Sequence, residues 1–447
     1  MYIAHAKNIA GGAPYADTGY IYNPREPIPP AYPPMFPILL APIYRWFGLN
    51  LTAMKIELIA LFLASLALIY LAFRRLVAPA YAVAIMALVG LSPYFWEFKD
   101  NILSDIPFLL FTYLTLFFIS RAREAPPAPK RQAVDSFLAG LMALLAIETR
   151  SVGVVLVASV VVADLIRFKR PTLLTGVFLL PSVVLGLLPA QLAHSMSSYL
   201  DMRTPFHLPW ALMNAGYYSE ELRDLWRNGY TRGPMRAIFL SMNGFLLVGF
   251  WTRLTRGITV SEVFSLLYLA VIFAWPHYQG IRFFIPVIPL YLFYAVVGFD
   301  RLASLGRSVS RRTAFACLLV LIFGSYAARY TTLDYGPIPE GVERPDTIAL
   351  FDYLRRETPP EAVCIFFKAR LLALYTGRRS TGYFTASDEE LLNYFDRVRA
   401  QYVILARAYW RDQEQLRPFV ERHTDRLEPV YHNPDFTVYR LTPPLPT

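Results

Sequence analysis

Ten stretches without Asp, Glu, Lys or Arg read as candidate spans: residues 58–73, 76–96, 106–120, 136–147, 151–163, 171–200, 237–252, 263–281, 283–299 and 313–328. With a few polar residues tolerated at each end, each approaches the ~20 residues a helix needs to cross the ~30 Å hydrocarbon core of a bilayer. Backbone in hydrocarbon has no water to bond to, so continuous apolar runs of this kind must cross as helices. Charged residues are only 17% of the chain, against about 25% in soluble domains. A soluble globule and a disordered chain are both excluded as readings of the whole. The predicted fold class is an α-helical polytopic membrane protein with about ten transmembrane helices and a small C-terminal α/β domain.

The basic residues orient the spans. They cluster at Arg74-Arg75, Arg121 to Arg131, Arg167-Lys169-Arg170, Arg253-Arg256 and Arg301 to Arg312, after every second span. By the positive-inside rule these loops face the cytoplasm, and both chain ends face outward. The net charge of +10 then reflects cytoplasmic loops and phosphate-bearing lipid partners, not nucleic acid. Cys317 lies in an apolar span and Cys364 in the C-terminal region, so neither a disulfide nor a Cys-based metal site is expected.

Residues 134–166 decide between one long helix and a hairpin. A single helix of about 30 residues would be roughly 45 Å long, more than a bilayer needs. Basic residues at both ends and Glu148-Thr149-Arg150 in the middle favour a hairpin with Arg150 at its outer tip. Residues 1–51 are rich in Pro and Tyr and read as an outer loop with an interfacial helix ending near Phe47. Residues 52–330 form the membrane domain, with 195–235 as a polar outer loop. From 331 to 447 the pattern is that of an extracytoplasmic α/β domain: helices at Pro345 to Glu357, Ala369 to Tyr375 and Asp388 to Arg399, strands at Ala362 to Phe367 and Tyr402 to Ala406, and a last hairpin of Leu427 to Tyr431 with Phe436 to Leu441.

The chain lacks a P-loop, GxSxG, HExxH and paired-Cys spacing. Its candidate chemistry lies in ionisable groups at the outer ends of apolar helices, where charge is costly. One group is Glu97, Lys99, Asp100 and Asp105 at a turn between two spans. Ser104 or Asp105 would cap the next helix, with Pro107 in its first turn; Glu97 and Asp100 read as solvated turn charges. A second is Arg150. A third is His277 with Arg282, where Arg282 is expected at a helix N-terminus that favours anions. Arginines converging at an outer vestibule suit a phosphate or pyrophosphate, which a guanidinium binds through two hydrogen bonds.

Four runs carry a family resemblance: Tyr32-Pro33-Pro34-Met35-Phe36-Pro37, Leu103-Ser104-Asp105-Ile106-Pro107-Phe108, Thr149-Arg150-Ser151-Val152-Gly153, and Gly280-Ile281-Arg282-Phe283-Phe284-Ile285-Pro286 continuing to Pro289. In their order and sidedness they resemble GT-C glycosyltransferases of the protein O-mannosyltransferase and aminoarabinose-transferase branch. The stretch Lys368 to Arg378 resembles the outer domain of bacterial members. The resemblance implies an integral membrane glycosyltransferase of the cell envelope. It would move a sugar from a polyprenyl-phosphate donor to an extracytoplasmic protein, lipid or glycan, usually with inversion. It assigns Asp105 a catalytic role, and the donor phosphate to Arg150 and Arg282 with Lys99 and His277 nearby. Tyr32, Pro33 and Pro34 would belong to a substrate-binding outer loop. No cofactor is firmly implied, and no metal site is supported by the sequence. In such enzymes a first membrane helix ends on a catalytic Asp; Met1 to Lys7 resembles the part that follows it, and Asp17 and Glu26 do not stand at the matching place. The expectation is that helix and acid are encoded upstream of Met1.

A flippase for a lipid-linked sugar would show internal repeats and helices broken at the midplane; the candidate charges here sit at outer ends instead. An oligosaccharide polymerase or ligase would share the donor site. A noncatalytic scaffold would not need Asp105, Arg150 and Arg282 together.

Overall fold

The structure is a computed structural model that describes residues 1–23, 25, 31–123, 128–186, 208–226, 232–275, 278–305, 310–336 and 341–442. By contact the chain divides into two units. Pro33–Phe36 and Leu49–Asp334 form the membrane unit; Met1–Tyr32, Pro37–Gly48 and Tyr335–Thr447 form the other. The second unit contains α1 (Tyr2–Gly11) and all but the first two residues of α2 (Met35–Phe47).

The membrane unit is a helical bundle: α3 (Leu51–Phe73), α4 (Pro79–Gly90), α5 (Pro93–Phe98), α6 (Asp105–Ala122), α7 (Pro129–Thr149), α8 (Val154–Phe168), α9 (Leu173–Gly186), α10 (Leu208–Asp224), α11 (Arg232–Arg256), α12 (Val260–Ala274), α13 (Ile288–Ala303) and α14 (Arg311–Tyr330). Among the described residues, six segments are long and apolar enough to cross a membrane, and several helices are apolar but shorter. Local chemistry sets the helix starts. Asn50 caps α3 by accepting the Ala53 N–H at 2.9 Å, and Pro79, Pro93 and Pro129 sit in first turns, where a missing N–H costs nothing.

Glycines let the helices approach. A Cβ on Gly249 would lie 1.8 Å from the Tyr294 carbonyl oxygen, and one on Gly298 1.8 Å from that of Phe245, so α11 and α13 cross backbone to backbone. Gly140 does the same for α7 against Phe178 of α9. At the far end of α6 from Asp105, Arg123 pairs with Asp164 at 2.6 Å and Arg121 with Asp135 at 3.2 Å. Arg121 stands sixteen residues after Asp105 on α6, about 24 Å away at 1.5 Å per residue.

Two expectations from the sequence are corrected by the structure. The 195–235 segment contains a 17-residue helix, α10, and is not simply a polar loop. The span expected from 283 does not begin as an α-helix. Residues Gly280–Phe284 form a 3-10 turn, and α13 starts only at Ile288. Pro286 cannot donate the backbone bond an α-helix needs there, whereas Pro289 fits the first turn of α13.

In the second unit, α1 and α2 accompany a five-stranded sheet ordered β2-β1-β3-β5-β4. Its strands are β1 (Val363–Ile365), β2 (Arg379–Thr381), β3 (Tyr402–Ala406), β4 (Leu427–His432) and β5 (Phe436–Leu441). β1 runs parallel to β2 and β3, while β5 is antiparallel to β3 and β4. The crossovers are α16 (Ala369–Thr376) and α17 (Asp388–Arg397), and α15 (Pro345–Glu357) precedes β1. β3 alternates: Val403 and Leu405 pack with Phe395 and Phe419, while Tyr402, Ile404 and Ala406 pack with Leu350, Phe351 and Leu354. The N-terminal segment extends the sheet, since Ser380 N–H donates to Gly19 O at 2.9 Å and Ile21 N–H to Ser380 O at 2.8 Å. Gly19 there has φ +74°, which suits a residue without a side chain.

Candidate active site

Asp105 is the first residue of α6. Ser104 precedes it, with no side-chain cap, so the expected capping bond is not made and the carboxylate is used otherwise. Its side chain is 2% exposed, and it binds two guanidinium groups. Arg150 Nη1 donates to Oδ1. Arg282 donates from Nη2 to Oδ2 at 2.9 Å and from Nε at 3.3 Å. A carboxylate out of water requires such partners.

Each arginine is placed by local structure. Arg150 ends α7 in an extended conformation, with φ −150° and ψ 129°. The chain then turns through Ser151–Gly153 into α8, so the expected hairpin is formed with Arg150 at its tip. The turn is tight because Gly153 lies on the end of α7: a Cβ there would fall 2.6 Å from Ile147 N. The guanidinium of Arg150 lies 5.1 Å from the Phe283 ring centroid and 6.0 Å from that of Phe108, within cation–π reach. Arg282 sits on the 3-10 turn, which α10 supports. Asn214 Nδ2 donates to the carbonyls of Phe273 and Trp275 at 2.9 and 2.7 Å, and Tyr218 packs on Phe284 with centroids 5.2 Å apart.

The trio carries one carboxylate and two guanidiniums, a net formal charge of one positive unit. Asp105 is sealed beneath, while the side chains of Arg150 and Arg282 are 15% and 28% exposed. An anion approaching from the open side would meet two planar donors already held in place.

The other expected site residues are dispersed. Lys99 lies over the Trp96 ring at 4.2 Å and 3.4 Å from Asp100. Glu97 is not merely a solvated turn charge, since it pairs with Arg329 of α14 at 3.6 Å. His277 lies outside the described residues. Tyr32 belongs to the second unit, where it stacks on Tyr2 with centroids 4.7 Å apart; Pro33 and Pro34 are buried in the membrane unit. Phe108, Phe283 and α10 were not anticipated. The two rings stand three residues after Asp105 and one after Arg282, a spacing that could have marked Phe108 as sharing the helix face of Asp105.

Helical bundle, hairpin tip and C-terminal α/β unit are shared in fold with the solved structures of ArnT and of an archaeal oligosaccharyltransferase. A protein-family model described as dolichyl-phosphate-mannose-protein mannosyltransferase matches residues 31–193. The crystal structure of ArnT from Cupriavidus metallidurans in the apo state superposes with a TM-score of 0.62 at 13% identity, covering 98% of this chain and 92% of that one. ArnT bound to undecaprenyl phosphate gives 0.58 at 12% identity, with the same coverage. The oligosaccharyltransferase AglB from Archaeoglobus fulgidus, in complex with an inhibitory peptide and a dolichol-phosphate, gives 0.58 at 13% identity over 91% of this chain and 65% of that one. No curated protein sequence matches the chain.

Proposed function

We propose that this chain is an integral membrane glycosyltransferase that moves a sugar from a polyprenyl-phosphate donor to an acceptor outside the cytoplasm. The observation that carries this reading is the Asp105–Arg150–Arg282 trio, a preset pair of guanidiniums over one carboxylate, net positive by one charge. The likeness in fold to ArnT, solved with undecaprenyl phosphate, and to AglB, solved with a dolichol-phosphate, supports it.

In the reaction an acceptor hydroxyl oxygen attacks the anomeric carbon as the bond from that carbon to the phosphate oxygen breaks. The electron pair leaves with the polyprenyl phosphate, which gains charge; Arg150 and Arg282 stabilise it more strongly than they do the intact donor, and this difference lowers the barrier. The acceptor proton passes to a base. Both oxygens of Asp105 already receive guanidinium hydrogen bonds, which suits it to positioning the arginines better than to taking a proton. That departs from the catalytic role expected from the sequence. Lys99, paired with Asp100, gives the turn its charge without a direct role at the phosphate. On this reading the chain lies in the cell membrane with the C-terminal domain on the outer side, because the basic clusters follow every second span.

The test uses purified protein in lipid nanodiscs with a panel of radiolabelled polyprenyl-phosphate sugars and membrane-extract acceptors. At least one donor is consumed with label appearing in an acceptor, and Arg282→Ala abolishes most of that transfer. Turnover of no donor, or transfer indifferent to Arg150→Ala and Arg282→Ala, overturns the reading.

A further inference from the structure

The sheet of the C-terminal unit reverses direction at one place. From β1 the chain passes through α16 to β2 on one side; from β2 it returns through α17 to β3 on the other side of β1. That reversal is a topological switch point, and open α/β sheets bind ligands in the crevice outside the carboxyl ends of the strands there. A crevice is present at this place. It is a shallow, open cleft lined by Phe367 and Lys368 after β1 and by Tyr409 just beyond β3.

Its lining is specific in kind. Phe367 and Tyr409 stack with ring centroids 4.1 Å apart and planes 19° from parallel, forming an aromatic wall. On another side Arg344 Nη2 holds Asp435 Oδ2 at 2.7 Å, and both residues line the cleft. Asp435 is itself set by a turn in which Asn433 Oδ1 accepts the Asp435 and Phe436 N–H groups at 3.1 and 2.8 Å. Phe367 is stacked by Tyr409 and approached by the Lys368 ammonium at 5.3 Å from its centroid, so the cleft offers the Tyr409 ring beside a planar donor group and a planar acceptor group. A nucleotide is a poor fit, because the turn after β1 reads Phe366-Phe367-Lys368-Ala369 and has no glycine to let backbone approach a phosphate. A purely apolar side chain would leave the Arg344–Asp435 pair desolvated without compensation. A pyranose satisfies both walls: its C–H face packs on an aromatic ring, while neighbouring hydroxyls donate to the carboxylate and accept from the guanidinium and from Lys368.

We propose that this cleft is a saccharide-binding site. As a sugar site it stands apart from the transfer reaction; only its use in holding a sugar-bearing acceptor rests on that reading.

The experiment is saturation-transfer difference NMR on the full chain in nanodiscs, with methyl glycosides of the common hexoses and N-acetylhexosamines as probes. At least one glycoside receives saturation at its ring C–H protons beyond that seen with empty nanodiscs. Tyr409→Ala weakens its binding at least tenfold and Tyr409→Phe preserves it. Lys368→Gln, at the mouth of the cleft, weakens it severalfold and decides the matter should Tyr409→Ala fail to fold. Asp105→Asn leaves the signal intact. If no glycoside exceeds the empty-nanodisc control, or if binding survives both Tyr409→Ala and Lys368→Gln, the cleft is not a sugar site. Loss of the transfer reaction alone would leave this result standing, and loss of sugar binding alone would leave the transfer reading standing.

Discussion

Asp105 sits under two arginines that come from distant parts of the chain, 45 and 177 residues away in sequence. A charge-assisted hydrogen bond contributes about 1.5–3 kcal/mol, and each 1.36 kcal/mol is tenfold in rate. Removing one phosphate-holding arginine is therefore expected to lower kcat/KM roughly ten- to a hundredfold, measured by donor turnover in Arg150→Ala and Arg282→Ala. Lysine at either place restores charge but not the planar fork, so Arg282→Lys recovers only part of the loss. Asp105→Asn keeps size and removes the charge that separates the guanidiniums; it is expected to weaken donor use comparably and to lower thermal stability, because two partly exposed cations then face each other without their counter-charge. The sequence marked each of the three as an ionisable group at the end of an apolar run. Sidedness placed them at one outer vestibule, but not in direct ion pairs, since no local pattern records a contact over such separations. Nor could the sequence separate a carboxylate that takes a proton from one that positions two cations, a distinction made by which lone pairs are already occupied.

At the level of elements, apolar runs and prolines mark most of the helices in the amino-acid sequence itself. The hairpin at Arg150 was legible because a single helix was too long and its middle too polar. What tightens it is Gly153, whose lack of a side chain lets α8 begin against the end of α7. Gly153→Val is expected to shift Arg150 and lower transfer on the order of a hundredfold, the scale of a ~1 Å misplacement in a site. Gly176→Ala, with nothing within 4 Å of the added atom, is the matched control and should leave transfer unchanged. Helix α10 and strand β2 were hidden, one in a run of polar residues and the other because three residues carry too little pattern. A pH dependence belongs to α1. His5 is fully buried, with Nδ1 donating to Tyr15 O at 2.8 Å. Burial holds its pKa down to about 4, against a smaller opposing effect of that backbone bond. An opened α1 would protonate near pH 6.5, so the stability of this packing is complete above that pH and is lost as pH falls toward 4. Hydrogen exchange of α1 amides, corrected for intrinsic rate, should show opening about twentyfold more frequent at pH 5 than at pH 7. His5→Gln should reduce the difference.

For the molecule as a whole, the proposed orientation follows from charge distribution and the proposed function from the trio. Basic residues gather at the end of α6 away from Asp105, as Arg121 and Arg123 show. A reporter active only in the cytoplasm, fused after Thr447, should therefore be silent, and one active only outside should work. The composition shift near residue 331 was legible because a soluble core needs alternating strands and amphipathic helices where a bilayer needs continuous apolar runs. The association of residues 1–32 and 37–48 with that later domain was not, because it rests on edge pairing such as Tyr20 with Ser380, which a Pro- and Tyr-rich segment does not announce. The proposed mechanism centres on Arg150 and Arg282, held by Asp105, as the groups that take the phosphate of a polyprenyl donor. Cryo-electron microscopy of the nanodisc-embedded protein with a polyprenyl phosphate tests this most directly. The expected result is a phosphate within about 2.7–3.2 Å of donors on both guanidiniums, with the lipid tail leading away between helices. A phosphate bound elsewhere, with the trio unchanged and unoccupied, would contradict it.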